Sequence, residues 1–305
     1  MTTANDIGPI ARKIIAAGRK QQRQQVVDLQ AIRGPRDEMR RIIDEAIPSS
    51  DVGEQCPGFA AYLYVTNWAL GVVEAAQDIR ELWRHVDRIA KADEDYMPEG
   101  PPWSPITRSM FDAWALCDLT VGVKRESLGS ILLAIGRAVG MDPLFLGVLE
   151  KLVESRLGLH IHEGVTDERI TLRELVTGEV RECICPSGHE GERGELWLAR
   201  VLPPPAASLR EAIVLTTPYV IENPGPTDWQ SYLDRTLPKI ASDPKLAYRR
   251  LMKRGLDERF WLEYVFEAYA NHRAEAIFLM GLPDIPESRP HSRFHEDPPM
   301  IDVGA

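Results

Sequence analysis

Leu159-His160-Ile161-His162 alternates apolar and polar side chains, and Arg169-Ile170-Thr171-Leu172-Arg173 repeats the pattern. A period of two residues is typical of a half-buried strand. Thr177-Gly178 then precedes Val180-Arg181-Glu182-Cys183-Ile184-Cys185, and a short glycine-containing turn between two such runs indicates an antiparallel hairpin. These residues predict that the centre of the chain is built from β-strands.

Two further strands are predicted after a glycine-rich loop at residues 186–194. The first is Glu195–Leu202, which Pro203 ends because proline has no amide hydrogen for the sheet. The second is Ala212–Ile221, with an edge or bulge at Thr216-Thr217-Pro218. Five short strands in residues 158–222 predict a small antiparallel β-sheet or a partly closed barrel.

Helical patterns flank this β module on both sides, so we predict a mainly helical α+β fold. The module is expected to lie between two helical blocks. Residues 1–157 are predicted to form a helical bundle, and residues 223–282 a C-terminal helical block packed on it. Residues 283–305 are rich in proline and lack apolar periodicity, which indicates a flexible tail.

The longest helical pattern runs from Phe59 to Ala92. Its apolar residues recur in steps of four and three, which predicts a buried seam that includes Val65, Ala69 and Trp83. Gln55 to Val73 contains no charged residue, a length that could span a membrane. Its glycines, proline and asparagine favour a helix inside the bundle, so we expect no membrane partner.

Composition limits the class of protein. The chain has 305 residues, of which 44% are hydrophobic and 27% charged, as is typical of globular proteins. Its formal net charge of −10 argues against a general binder of polyanions. Four cysteines in a chain of this length, with no signal-peptide pattern at the start, favour the reducing cytoplasm. The excess of arginine over lysine is typical of a GC-rich bacterial gene.

The N-terminal segment is basic although the whole chain is acidic. Residues 1–41 contain nine arginines and lysines against four acidic residues, and Arg19, Lys20 and Arg23 lie in a stretch without apolar side chains. Such a segment could dock an acidic protein or a phosphate backbone. A solvated helix face is the alternative, and it is the commoner meaning of a charge run.

Two pairs of residues could bind a metal ion. His160 and His162 are two residues apart, as are Cys183 and Cys185, so each pair projects from one face of its strand. Two histidines and two cysteines would suffice for a tetrahedral zinc site. The alternative is that the cysteines are buried and the histidines exposed, because nothing in the sequence makes the two strands neighbours.

The loop at residues 186–194 could be a binding loop held by a rigid sheet. His189 and Arg193 lie in it, and Arg200 follows on the next strand, so all three are candidate binding residues. The alternative is that the nearby Trp197 and Tyr219 belong to a core.

No sequence motif specifies a reaction. Phosphate-binding loops, nucleophile elbows and zinc-protease helices are absent from the sequence. We therefore expect a non-enzymatic accessory or regulatory protein of a bacterial cell that binds a protein partner. The alternatives are a nucleic-acid contact through the basic N-terminal helix and a metal-dependent enzyme or zinc module centred on the β-strands.

Overall fold

A computed structural model describes residues 7–24, 56–75, 80–96, 105–204 and 211–290. The fold is α+β. Its helices are α1 (Pro9–Gln24), α2 (Pro57–Ala75), α3 (Arg80–Tyr96), α4 (Pro105–Cys117), α5 (Leu128–Val139), α6 (Pro143–Glu154), α7 (Pro226–Thr236), α8 (Pro244–Arg254) and α9 (Phe260–Ala268). Its strands are β1 (Thr120–Val121), β2 (Glu126–Ser127), β3 (Leu157–Thr166), β4 (Arg169–Glu174), β5 (Val180–Ile184), β6 (Leu196–Leu202), β7 (Ala212–Val214), β8 (Tyr219–Asn223), β9 (Tyr269–His272) and β10 (Ile277–Met280).

Strands β3 to β7 form a closed five-stranded barrel. The order is β3-β4-β5-β7-β6, and β3 closes the barrel by pairing with β6. Of the two expected arrangements, a small antiparallel sheet or a partly closed barrel, the structure has a barrel; the pairing is not antiparallel throughout, because β5 and β7 are parallel, as are β8 and β10. Both parallel pairs join strands that are distant in the chain, so no hairpin pattern in the sequence could predict them.

The strand predicted at residues 212–221 is divided into β7 and β8. Both halves pair with β6, and the break falls at the predicted Thr216-Thr217-Pro218. The first half closes the barrel against β5, whereas the second half pairs with β10. The irregular residues 216–218 therefore allow one stretch of chain to pair with β5 in its first half and with β10 in its second half.

The C-terminal block is not entirely helical, which corrects the expectation for residues 269–280. The predicted last helix ends at Ala268, and β9 and β10 follow it. Ile277, Phe278 and Leu279 are buried on β10, which lies in the main sheet between β8 and β9. A run of apolar residues fits a helix or a buried strand equally well, and here the strand pairing prevails.

Alternation along β6 distributes its side chains between separate apolar clusters. Trp197 and Ala199 belong to a cluster of sheet residues with Cys183, which fills the inner side of the barrel. Leu196 and Leu198 point the other way and pack against α7, α8 and α9. At the far end of β6, Leu202 contacts the cluster formed by α2, α5 and α6. Helices from both blocks therefore cover the barrel.

The predicted seam along residues 59–92 holds only in its first half. Val65 and Ala69 are buried on α2, but Trp83 on α3 is 60% exposed. The buried face of α3 instead carries Leu82, the residue before Trp83, and His85, two residues after it. Residues 76–79 lie outside the described part. None of the described helices is long and apolar enough to cross a membrane.

Residues 283–290 lie against the body of the protein, in contrast to the expected tail from residue 283. Asp284 forms an ion pair with Arg235, and Arg289 pairs with Glu267. A short turn of 3-10 helix, Pro286–Ser288, connects these two contacts. The rest of the predicted tail, residues 291–305, lies outside the described part of the chain.

Candidate functional site

Helix α8 presents three cations on one face. Arg250, Lys253 and Arg254 are spaced by three and four residues, so their side chains lie together on the helix surface. Asp243 caps the start of the helix by accepting from the amides of Lys245 and Leu246. The cations are in or near the last turn, where the helix dipole favours positive charge.

A buried ion cluster lies beneath this face. Arg200 on β6 is 1% exposed, and its guanidinium pairs with Asp118 at the end of α4. Its Nη1 donates to the backbone oxygen and to Oγ of Ser155, at 3.1 and 2.9 Å. Burial works against the charged form, but the Asp118 carboxylate outweighs it and raises the pKa of Arg200. The cluster therefore fixes a charged arginine inside the protein.

Lys253 completes the cluster from α8. Its Nζ lies 3.4 Å from Oδ1 of Asp118 and donates to the backbone oxygens of Val153 and Ser155, both at 2.7 Å. Burial lowers the pKa of Lys253, and the charge of Asp118 opposes that shift. Two backbone hydrogen bonds and the charge of Asp118 hold the ammonium group, so Lys253 connects α8 to the end of α6.

Above this cluster is a cleft of about 460 Å³, which we call the cationic cleft. Its walls include Arg125, Arg250 and Arg254, together with Trp114, Trp261 and Leu256. Arg125 reaches it from the turn between β1 and β2, where its φ is 49°. The cleft thus combines arginines with apolar surface, the two features needed to hold an anionic group on a larger ligand.

The charges of the cleft are unbalanced. Its carboxylates are engaged elsewhere: Asp118 in the ion cluster, Glu258 with Arg88 at 2.9 Å, and Asp257 with the amide of Arg259 at 2.9 Å. Within the described ranges, no carboxylate lies within 4.0 Å of the guanidinium groups of the three arginines. Burial and then the charge of Arg125 lower the pKa of Arg254. A bound anion would relieve this repulsion.

The structure separates the two predicted metal-binding pairs. His160 and His162 are on β3 and the two cysteines are on or just after β5, with β4 between the two strands. His160 is opposite Glu174, and Cys183 is opposite Ile170, further along β4. Among the described residues, no three His, Cys, Asp or Glu side chains are grouped so that they could hold a metal ion.

The thiols and imidazoles of these pairs are largely buried. Burial raises the pKa of Cys183 to about 12 and also raises that of Cys185, which keeps both thiols protonated. The expectation of exposed histidines is wrong, because His160 is 7% and His162 1% exposed. These side chains are therefore parts of the packed interior.

His160 makes stability depend on pH. Burial lowers its pKa from 6.5 to about 4, so the folded protein holds it neutral while the unfolded chain protonates it below pH 6.5. We expect acidification from pH 6.5 to 4 to reduce the free energy of unfolding by about 3 kcal/mol through this group.

The check is chemical denaturation across that pH range. Glu174, whose pKa is lowered despite its burial because Arg156 donates to it, loses stabilisation in the same direction. A His160→Gln variant isolates the histidine, since its stability should fall less steeply with acidification. Equal pH dependence of variant and parent would show that His160 does not titrate in this way.

The other predicted binding residues fall in the N-terminal helix and in the loop before β6. Arg19, Lys20 and Arg23 fall within α1, but their side chains are outside the described part. Arg193 is exposed in the loop before β6, and His189 is buried in the same loop. Of the candidates whose side chains the structure describes, Arg200 alone lines the cationic cleft.

Sequence reasoning missed the surface arginines of the cleft. One signal was present: Arg249-Arg250 and Lys253-Arg254 place four cations in six residues directly before Gly255. Arg125 gave no signal, because its approach to α8 depends on the packing of distant segments. Comparisons with protein-family models, curated proteins and solved structures found no match to this chain.

Proposed function

We propose that this protein is a non-enzymatic binding protein that holds an acidic segment of a protein partner in the cationic cleft. The observation that carries the proposal is the set of Arg125, Arg250 and Arg254, which lack carboxylate partners within the described ranges. Surface arginines elsewhere in the fold, such as Arg137 and Arg235, have such partners. An anionic ligand gains the most electrostatic binding free energy from arginines that share a cleft and have no carboxylate partner.

The shape and charge of the protein favour a peptide segment over a nucleic acid. A long polyanion would lie over much of the surface of a chain whose net charge is −10, and most of that surface would repel it. A cleft of about 460 Å³ instead fits a few side chains. Trp114, Trp261 and Leu256 supply apolar walls that suit the residues beside a glutamate or aspartate.

The state of the side chains around the cleft supports binding rather than catalysis. Lys253 has the lowered pKa of a possible base, but its ammonium group donates to two backbone oxygens and lies beside the Asp118 carboxylate. Cys117 lies behind it as a protonated thiol, because burial raises its pKa to about 11. Lys253 therefore serves as a structural part of the cleft floor.

The test is the affinity of a fluorescent peptide that carries several glutamates beside leucine and phenylalanine. We expect Arg250→Ser with Arg254→Ser to weaken binding tenfold or more, since each lost charge-assisted hydrogen bond contributes about 1.5–3 kcal/mol. Both arginines are exposed, so the change should leave the stability of the protein nearly intact. Fluorescence anisotropy measures the affinity, and thermal melting checks the fold.

Lys245→Ser is the matched control, because Lys245 is an exposed cation of the same helix outside the cleft. Its affinity should equal that of the parent. Equal weakening by both changes would contradict the proposal, as would no saturable binding up to about 1 mM peptide. Tighter binding of a single-stranded oligonucleotide than of the peptide would favour the nucleic-acid alternative instead.

A further inference from the structure

The lining of the cationic cleft has an excess of positive charge that one carboxylate would not neutralise. Its basic side chains are those of Arg125, Arg200, Arg250, Lys253 and Arg254. Its carboxylates are those of Asp118, Asp257 and Glu258. Five cations against three carboxylates leave a formal excess of two positive charges, and Arg88 pairs with Glu258 from outside the lining. A ligand group with two negative charges would balance this excess.

The three exposed arginines of the cleft come from two elements and converge. Arg250 and Arg254 lie on one face of α8, and Arg125 approaches from the turn between β1 and β2. Burial lowers the pKa of Arg254, and the charges of Arg125 and Arg250 lower it further, against the opposing charge of Asp118. The guanidinium groups are therefore close enough to repel one another, and they face a common space.

The chemistry of the guanidinium group favours a phosphoryl group at this place. Each guanidinium is planar and presents five N–H donors, whose geometry matches the oxygens of a phosphate. A phosphate monoester offers three terminal oxygens and carries between −1.5 and −2 charges at pH 7. A glutamate offers two oxygens and one charge, so it can satisfy only part of a set of three arginines.

The apolar wall of the cleft indicates that the phosphoryl group belongs to a peptide. The indole Nε1 of Trp114 donates to the backbone oxygen of Glu258 at 2.9 Å, and that of Trp261 donates to the backbone oxygen of Leu251 at 2.7 Å. Both indoles therefore have their polar atom satisfied by the protein. They offer the cleft only apolar ring surface, which suits apolar side chains next to a phosphorylated residue.

We infer that the cationic cleft recognises a phosphorylated serine or threonine within the acidic segment that it binds. This inference rests on the proposed function and names the chemical group that the three arginines hold. The phosphoryl oxygens would accept hydrogen bonds from Arg125, Arg250 and Arg254, with the neighbouring apolar residues of the segment against the tryptophans. Phosphorylation of the partner would then control its binding to this protein.

The test compares two fluorescent peptides by anisotropy with the full chain. One carries a phosphoserine and an unmodified serine beside leucine and phenylalanine, and the other has glutamates at both serine positions, so that their formal charges are nearly equal. We expect the phosphopeptide to bind tenfold or more tightly, because its charge is concentrated where the arginines converge.

Arg125→Asn tests whether convergence produces this preference. Asparagine suits the φ of 49° at this position, so the turn should keep its conformation. The phosphopeptide should lose most of its advantage over the glutamate peptide in this variant. Lys124→Asn is the matched control, because Lys124 is an exposed cation of the same turn that does not line the cleft. Its preference should equal that of the parent, and thermal melting checks both folds.

The outcomes separate this inference from the proposed function. Saturable binding of both peptides with equal affinity would overturn the phosphoryl inference and leave the acidic-segment proposal standing, whereas no saturable binding of either would overturn both. An unchanged preference in Arg125→Asn would also overturn the inference. Displacement of the phosphopeptide by an equal concentration of free phosphoserine would do the same, since the apolar residues of the peptide would then contribute nothing.

Discussion

Replacement of Arg200 by methionine is expected to lower the free energy of unfolding by about 3–5 kcal/mol, the cost of breaking a buried ion pair. The change leaves Asp118 with Lys253 as its only cationic neighbour of the cluster, at 3.4 Å. It also removes the donor to the backbone and hydroxyl oxygens of Ser155. Denaturant unfolding of parent and variant measures the difference.

Arg137→Met is the control for this prediction. Arg137 pairs with Glu150 at 2.7 Å, but both side chains are nearly half exposed. Solvent screens such a pair, so its loss should change stability by less than about 1 kcal/mol. If Arg200→Met were as mild as the control, the buried cluster would not hold the barrel to its helices as described.

Replacement of Trp229 by alanine should cost about 3–5 kcal/mol, the range for emptying a large buried aromatic site. Trp229 on α7 is fully buried, and its ring meets those of Tyr232 and Tyr264 at 5.5 and 5.7 Å in T-shaped geometry. These contacts lie in the core that joins the C-terminal helices to the barrel.

Trp83→Ala provides the comparison within the same chain. The spacing of apolar residues alone predicts a similar loss at this position, whereas 60% exposure predicts a change of about 0.5 kcal/mol or less. Thermal and denaturant melts of the two variants distinguish these expectations. A large effect at Trp83 with a small one at Trp229 would contradict the packing of both helices.

The sequence was sufficient to predict the elements whose signals are local. Alternation located the barrel strands, and the capping residues of α5 and α6 are signals of the same local kind. Ser127 and Ser130 form a capping box, Gly140 ends α5 in the left-handed conformation, and Asp142 caps α6 before Pro143. Each of these signals acts over a few residues, so no knowledge of the rest of the chain is needed.

What could not be predicted depends on contacts between distant residues. Trp83 is exposed because α3 packs on the protein with the face that carries Leu82 and His85. The spacing of apolar residues alone predicted that the face with Trp83 would be buried. Arg200 was a candidate because it follows a loop, yet its role depends on Asp118, which is 82 residues away. The arrangement of Arg125 beside Arg250 and Arg254, with no carboxylate partner in the described part, likewise emerges only when the turn between β1 and β2 meets α8.

The most direct test of the cationic cleft is the salt dependence of peptide affinity in the parent and in the Arg250→Ser with Arg254→Ser variant. The Debye length, the distance over which salt screens exposed charges, is about 8 Å in 0.15 M salt and about 3 Å in 1 M salt. We predict that the parent loses affinity steeply as salt rises, while the variant binds weakly and responds little. A parent affinity that does not change with salt would contradict binding by the arginines of the cationic cleft. The same salt dependence in both proteins would also contradict it.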